Sequence, residues 1–297
     1  KTAAPGRKRW DIFHFFRLPL DEKKLKEDIL YLHRLLAKPA HDDEYLKISS
    51  ELYKKLIKPV FPTENNFTKV IIIPDGVLYY LPFEVLVSRE GSEDGIPSYF
   101  VREYSIRYVQ SASIHSYLWS RNNNDTAARD TGMDTLLAVG NPVLATTIPT
   151  DGVAGPETRD LFSLSDLRPL PFSSKEIREI GSLFPEKTIL SGEDALEERI
   201  KQPGALHGYR YILFATHCIL DEEHPGRTGL VLTRDNDPRE DGFLQVREIF
   251  NLETGADLVV LSACKTRLGE YIEGEGIIGL TRAWMYAGSP SVIASLW

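Results

Sequence analysis

The two residues best suited to nucleophilic catalysis each close an apolar, strand-like run. Cys264 ends the run "DLVVLSAC", and His217 ends the run "YILFATH". A cysteine thiol with an ordinary pKa of about 8.5 is only a few per cent ionised at neutral pH. A nearby imidazole can take the thiol proton and later donate a proton to a leaving amine. The two residue types therefore predict acyl transfer by a Cys/His pair, with backbone N–H groups at the strand end holding the oxyanion.

The same residues also have simpler interpretations. A buried free cysteine is common as a small core residue, and a single histidine can be structural. The 47 residues that separate the pair are not a motif, because such a pair meets only in the fold. A zinc site built from His217, Cys218, His224 and Cys264 lacks C-x-x-C or H-x-x-x-H spacing. We therefore expect neither a metal nor another cofactor.

The elements that must position the pair alternate between strands and helices. The strand-like runs after residue 133 are "TLLAVGNP", "KTIL", "YRYILFATH", "GLVLT", "DLVVLSAC" and "SVIASLW". The helical patterns between them are "SSKEIREIGSLF", "ALEERIKQ", "LQVREIFNL" and "IIGLTRAWMYAG". This alternation predicts an α/β fold with a mostly parallel sheet and helices on both faces. Ligands of such sheets bind beyond the carboxyl ends of the strands, which is where His217 and Cys264 fall.

The chain before residue 133 has a different rhythm. Two stretches, "DEKKLKEDILYLHRLLAK" and "DDEYLKISSELYKKLIK", have helical spacing, and "KVIIIPDG" and "YSIRYV" are strand-like. Residues 120–134 are polar and low in hydrophobic residues, which is typical of a linker. We therefore predict two domains, 1–132 and 133–297.

Composition excludes several classes of protein. The chain is 42% hydrophobic and 26% charged, with a net charge of -8 and a pI of about 5.5. A negative net charge gives no global footprint for nucleic acid, and the basic cluster Arg7–Lys8–Arg9 is interpreted as a solvated arm. The apolar runs are too short to cross a membrane. Two cysteines favour a reducing, cytoplasmic setting over a disulfide scaffold.

Three stretches resemble the CHAT domain family, which is related to caspases and separase. They are "VIIIPDGVLYYLPFEVL", "LFATHCILDEEHPGRTGLVLT" and "DLVVLSACKTRLGEYIEGEGIIGLTRAWMYAGSPSVIASLW". The resemblance runs from about residue 69 to residue 297 and implies a caspase-like cysteine endopeptidase. It assigns the general base to His217, the nucleophile to Cys264 and the oxyanion-binding backbone N–H groups to Cys218 and Cys264.

The resemblance has further implications for the rest of the chain. CHAT domains usually follow TPR repeats, so a TPR array is expected upstream of Lys1, and the chain is interpreted as a fragment. The first half is expected to be a degenerate protease-like α/β half with leading helices, without a catalytic pair. Many members carry glycine where this chain has Cys218, whose backbone must therefore suit a residue with a Cβ. The "GEGIIG" turn has no Lys-Ser/Thr pair of a phosphate loop and is expected to shape the loop beside the nucleophile.

Three functions are compatible with these features. The leading hypothesis is a regulated cysteine endopeptidase that acts on protein substrates and is held by TPR or other regulatory partners. The alternatives are a non-proteolytic interaction scaffold and another acyl hydrolase with the same Cys/His pair. No contact with nucleic acid or membrane is expected.

The charge after His217 suggests a preference for substrates with Arg or Lys at P1. Seven acids lie between Ile219 and Gly242, opposed by three arginines. An acidic rim attracts cationic peptides, and a buried acid could pair with the P1 side chain. Asp221 and Glu275 are the candidate pocket residues, although a simply solvated acidic loop is the alternative.

Overall fold

The computed structural model of the chain divides into two compact units, Lys1–Asn122 and Asn123–Trp297. The described residues are 14–36, 43–61, 67–89, 97–109, 111–114, 116, 135–144, 167–221, 225–234, 240–263, 265–267 and 276–295.

The first unit combines two long helices with short strands. Its elements are α1 (Glu22–Leu36), α2 (Asp43–Leu56), β1 (Lys69–Ile72), two 3-10 turns (Gly76–Tyr80 and Phe83–Val85), β2 (Val87–Arg89), β3 (Ser98–Tyr99), α3 (Phe100–Glu103) and β4 (Ser105–Tyr108). Strands β1 and β4 pair in parallel, and β2 and β3 pair antiparallel. The interpretation of this unit as a degenerate protease copy stays a prediction.

Helix α2 is tied to the turn that precedes β2 by polar side chains on its buried face. Ser49 Oγ donates to Val85 O at 2.8 Å and accepts a hydrogen bond from Val87 N–H at 3.0 Å. Tyr45 OH donates to the same carbonyl at 2.8 Å. Because Ser49 is fully buried, these bonds satisfy groups that would otherwise be costly to bury. They fix the chain at the edge of the core formed by Ile29, Leu32 and Leu52.

The second unit contains the remaining strands and helices. They are β5 (Thr135–Pro142), α4 (Ser173–Ser182), β6 (Glu186–Gly192), α5 (Glu197–Lys201), β7 (Tyr211–Ala215), β8 (Cys218–Leu220), a 3-10 turn (Pro225–Arg227), β9 (Gly229–Val231), β10 (Phe243–Gln245), α6 (Val246–Ile249), β11 (Leu258–Leu261), β12 (Lys265–Arg267), α7 (Gly276–Tyr286) and β13 (Val292–Ala294). None of the helices in the described ranges combines the length and apolar character that crossing a membrane requires.

A five-stranded sheet forms the centre of the second unit. Its order is β13-β11-β7-β5-β6, and each neighbouring pair is parallel. Alternate strand residues face opposite sides: Leu136 and Leu213 pack with Ile177 of α4, whereas Ile212 and Phe214 pack with residues of α5, α6 and α7. The sheet is therefore covered by helices on both faces, which confirms the predicted fold class.

A smaller sheet has four strands in the order β10-β9-β8-β12. In the sequence, its strand β8 follows β7 and its strand β12 follows β11. Strand β9 pairs antiparallel with β8 and β10, whereas β8 and β12 are parallel. The prediction of a helix over "LQVREIFNL" is wrong for its first two residues, because Leu244 and Gln245 belong to β10. Their backbones pair with Leu230 and Gly229, so tertiary pairing overrides the helical pattern there.

An ion cluster joins α5 to the β9–β10 hairpin. Lys201 Nζ lies 3.2 Å from Glu197, 2.5 Å from Glu240 and 2.9 Å from Glu248. The second oxygen of the fully buried Glu197 accepts hydrogen bonds from the N–H groups of Gly242 (2.8 Å) and Phe243 (3.2 Å). The side chain of Glu197 therefore connects a helix to the start of β10.

Burial and neighbouring charges shift the pKa values of this cluster. Burial, assisted by the carboxylates of Glu248 and Asp241, raises the pKa of Glu197 to about 8. Burial opposes the charge on Lys201, but its hydrogen bonds to Glu240 and Glu248 outweigh burial and raise its pKa above the ordinary value of lysine.

Replacement of Glu197 by Gln should remove a pH dependence of stability. The folded state holds the Glu197 proton up to about pH 8, whereas the unfolded chain releases it near 4.5. Between these values the native state binds more protons, so this group makes the free energy of unfolding fall as pH rises. Denaturant titrations would measure the free energy of unfolding at pH 5 and at pH 8. Between these pH values, wild type should lose at least about 1 kcal/mol more than the Glu197→Gln variant. Glu193→Gln, at an exposed position, is the control; equal pH dependence in wild type and Glu197→Gln would contradict the prediction.

Candidate active site

The strands that end in the predicted catalytic stretches are direct neighbours. Strands β7 and β11 are parallel, and their register runs from Leu258 opposite Tyr211 to Leu261 opposite Phe214. Ser262 N–H donates to Phe214 O at 2.8 Å, so the pairing extends to the strand ends. Because the strands are parallel, both carboxyl ends lie at the same edge of the sheet.

The two chain segments pair again after a short interval. Lys265 of β12 lies opposite Cys218 of β8, and this pair has the same separation along the chain as Leu261 and Phe214. Three residues therefore separate the two paired stretches on each segment. His217 is the last of the three on one segment. Cys264, which precedes β12 in the sequence, lies outside the described residues.

The imidazole of His217 is buried and held by a backbone carbonyl. The residue is 6% exposed, and its Nε2 lies 2.7 Å from Arg168 O. A carbonyl oxygen only accepts hydrogen bonds, so Nε2–H is the donor. The neutral ring then carries its proton on Nε2 and its lone pair on Nδ1.

The main chain around His217 is also fixed from the side of β9. Val231 N–H donates to His217 O at 2.9 Å. Thr216 Oγ1 donates to Val231 O at 2.5 Å, and the Thr216 side chain is fully buried. The backbone N–H and C=O of Val231 are thus both hydrogen-bonded to the two residues that follow β7. This arrangement limits the movement of the backbone that carries the imidazole.

Side chains alternate between two environments along β8. Cys218 and Leu220 belong to the large core under the five-stranded sheet. Ile219 instead packs with Leu167 and Val231, beside the segment that supplies the Arg168 carbonyl. Alternate side chains of a strand lie on opposite faces, so within β8 Ile219 faces away from Cys218 and Leu220.

Cys218 has an ordinary backbone for a residue with a Cβ. It lies in β8, and among the described residues Asn141, at φ 49°, is the only non-glycine with positive φ. Its side chain is buried in the core, at 4% exposure. The departure from glycine at this position therefore requires no left-handed conformation. The oxyanion role of its backbone N–H stays a prediction.

Of the two candidate pocket acids, Asp221 is described and Glu275 lies outside the described residues. Asp221 follows β8 and is buried, at 6% exposure. Its N–H donates to Oγ1 of the fully buried Thr228 at 3.1 Å. The backbone of Asp221, four residues after His217, is thus tied to Thr228. Glu240, counted above in the acidic rim, instead binds Lys201.

One group of three potential metal ligands occurs in the described part of the chain: Glu197, Glu240 and Glu248. The Lys201 ammonium lies within 3.2 Å of an oxygen of each of these three side chains, so the cluster already contains a cation. His217 and Cys218 belong to no such group among the described residues, while His224 and Cys264 lie outside them.

Comparison with known proteins gives one family and two curated relatives. The family model for the CHAT domain matches residues 46–297. The chain is 22% identical over 251 residues to Tetratricopeptide repeat protein 28 of Homo sapiens. This match covers 77% of this chain and 10% of that protein. It is 22% identical over 263 residues to the protein of the same name from Mus musculus, with the same coverage. The chain therefore spans about a tenth of the length of these relatives.

Nuclear magnetic resonance of the histidine rings should detect the tautomer of His217. We expect a neutral ring protonated at Nε2, because the Arg168 carbonyl accepts that proton. Long-range ¹H–¹⁵N spectra of the ¹⁵N-histidine-labelled protein, assigned with a His217→Gln variant, would measure it. A ring protonated at Nδ1 would contradict the expected geometry. Exposed His207 provides an internal reference.

Proposed function

This chain belongs to the CHAT domain family, and from that premise we propose that it is a cysteine endopeptidase with Cys264 as nucleophile and His217 as general base. The family is related to caspase-like cysteine peptidases, and the resemblance predicted from the sequence is confirmed by the match.

The observation that carries the proposal is the equal spacing of the two chain segments. Pairing stops after Phe214 and Leu261 and resumes at Cys218 and Lys265, with three residues on each segment between. His217 and Cys264 hold the same position, the last, in these two intervals. This correspondence supports a thiol and an imidazole that act across one sheet edge.

The tautomer of His217 suits the base that this reaction needs. With the proton on Nε2, the Nδ1 lone pair takes the proton of the Cys264 thiol as sulfur attacks the scissile carbonyl carbon. The Arg168 carbonyl then accepts from an imidazolium, a charge-assisted bond that stabilises the ion pair. The imidazolium donates its Nδ1 proton to the leaving amine as the C–N bond breaks, which leaves a thioester. Water, deprotonated by the same nitrogen, hydrolyses the thioester and restores the thiol.

The burial of the imidazole supports regulation of the proposed enzyme. A substrate must approach the base closely, yet His217 is only 6% exposed. We infer that access of a polypeptide to the base requires movement of the surrounding chain. An upstream TPR array or another regulatory partner is the proposed source of that movement, and both curated relatives are named for such repeats.

Replacement of Cys264 by Ala should abolish cleavage, because no other thiol is assigned to the attack. Cys218→Ala is the matched control and should keep most of the activity, since the Cys218 side chain lies in the apolar core. New protein termini would be measured by mass spectrometry in cells that express wild type or either variant.

A peptide acyloxymethyl ketone tests the same assignment chemically. It should label Cys264 and leave the buried Cys218 unmodified. Cleavage by the Cys264→Ala variant would refute the mechanism. Hydrolysis of thioesters without hydrolysis of peptides would favour the acyl hydrolase instead.

We also propose that Asp221 selects Arg or Lys at P1. Asp221 is buried and lies four residues after His217, and its carboxylate could form a charge-assisted hydrogen bond with a cationic side chain. A peptide library should show a basic P1 preference in wild type. Asp221→Asn should lower turnover of basic substrates about tenfold or more while sparing those with an apolar P1. Glu253→Gln, at an exposed position far along the chain, is the control. A wild-type preference for Asp at P1 would contradict this proposal.

A further inference from the structure

A buried serine lies where three elements of the second unit meet. Ser173 is the first residue of α4 and is 5% exposed. Its Oγ accepts a hydrogen bond from Asn141 N–H, at the end of β5, at 2.7 Å. The same hydroxyl donates to Ala215 O, the last residue of β7. One side chain thus joins α4 to the ends of two neighbouring strands.

The packing around this hydroxyl leaves little freedom. A Cβ added at Gly140 would lie 2.8 Å from both Ser173 Oγ and Ala215 O. Such distances are shorter than real Cβ contacts, so the close approach of β5, β7 and α4 requires glycine there. The hydroxyl does not cap α4, because the N-cap residue is Phe172 and it makes no side-chain cap bond. The Ser173 hydroxyl therefore links the ends of β5 and β7 instead of capping the helix.

Ser173 is also connected to the carbonyl that holds the imidazole. Ser173 N–H donates to Leu170 O at 3.2 Å, and Arg168 lies two residues before Leu170. Pro169 and Pro171 restrict the backbone of this short segment, because each ring fixes φ. The segment is thus a stiff connection between the Ser173 backbone and the Arg168 carbonyl.

These contacts form a closed path around His217. In one direction the Ser173 hydroxyl bonds to Ala215, two residues before His217. In the other, the Ser173 backbone leads through Leu170 to Arg168 O, which accepts the imidazole proton. Displacement of Ser173 would therefore alter the position of both the His217 backbone and its ring.

We infer that Ser173 is a positioning residue for His217: it fixes the end of β7 and the Arg168 carbonyl in one geometry, so that the ring keeps its proton on Nε2 and its lone pair on Nδ1. This inference rests on the proposed function for its catalytic consequence, but its effect on the ring does not depend on cleavage.

Ser173→Ala should reduce kcat about 10- to 100-fold with little change in KM, because misplacement of a base lowers the rate of the chemical step. The limb of the pH–rate profile that reports the imidazole should also shift. Ser182→Ala is the matched control, since that exposed hydroxyl, on the same helix, donates to Glu179 O within its own helix. This control should keep the wild-type kcat and profile.

The ring spectrum of His217 separates this inference from the proposed function. In Ser173→Ala, the ¹⁵N signals should move from the Nε2-protonated form towards a mixture of tautomers, whether or not the protein cleaves peptides. If wild type never cleaves but the ring signals shift in the variant, the proposed function fails and the positioning role stands. If the variant melts at a lower temperature but keeps the wild-type ring signals, Ser173 is only structural and the inference is overturned. Should Ser173→Ala not fold, Ser173→Cys keeps the side-chain volume with a weaker donor and is read in the same way.

Discussion

Backbone pairing between β7 and β11 is the interaction on which the second unit depends. It joins the half of the sheet that contains β5 and β6 to the half that contains β13. The same register continues, after three residues on each side, into the pairing of β8 with β12. A shift of one residue would reverse the faces of Ile212 and Phe214 and expose the core beneath them. Apolar packing therefore fixes the register, and the register fixes which residues meet at the sheet edge.

The contacts around His217 differ in kind from the contacts that stabilise the core. The core consists of non-directional apolar packing on both faces of the sheet. Beyond the strand ends, His217 is held by directional hydrogen bonds: its carbonyl accepts from Val231 N–H, and its ring donates to Arg168 O. Directional bonds define a ring orientation that apolar packing alone would leave loose. The geometry of the proposed site thus depends on polar groups that are themselves positioned by the core.

Much of this arrangement is predictable from the sequence, because it depends on local patterns. The run "TLLAVGNP" corresponds to β5. The helical spacing of apolar residues predicts α1, α2 and α4 to within a few residues of their observed bounds. The strand-end location of His217 follows from the same patterns. Three features carry no such signal. The Arg168 carbonyl is a backbone group that any residue provides, the bond between Glu240 and Lys201 joins distant segments, and the start of the "LQVREIFNL" stretch pairs with Gly229 across a hairpin.

The order of the strands along the chain also has a consequence for biosynthesis. Of the strands in the five-stranded sheet, β5, β6 and β7 leave the ribosome before β11 and can pair with one another while β11 is still to be made. Until then β7 is an edge strand with unpaired backbone groups, which is a site of mispairing in a nascent chain. A catalytic pair of the proposed kind cannot assemble before β11 and β12 have emerged. Synthesis itself would therefore delay the proposed activity until β11 and β12 are in place.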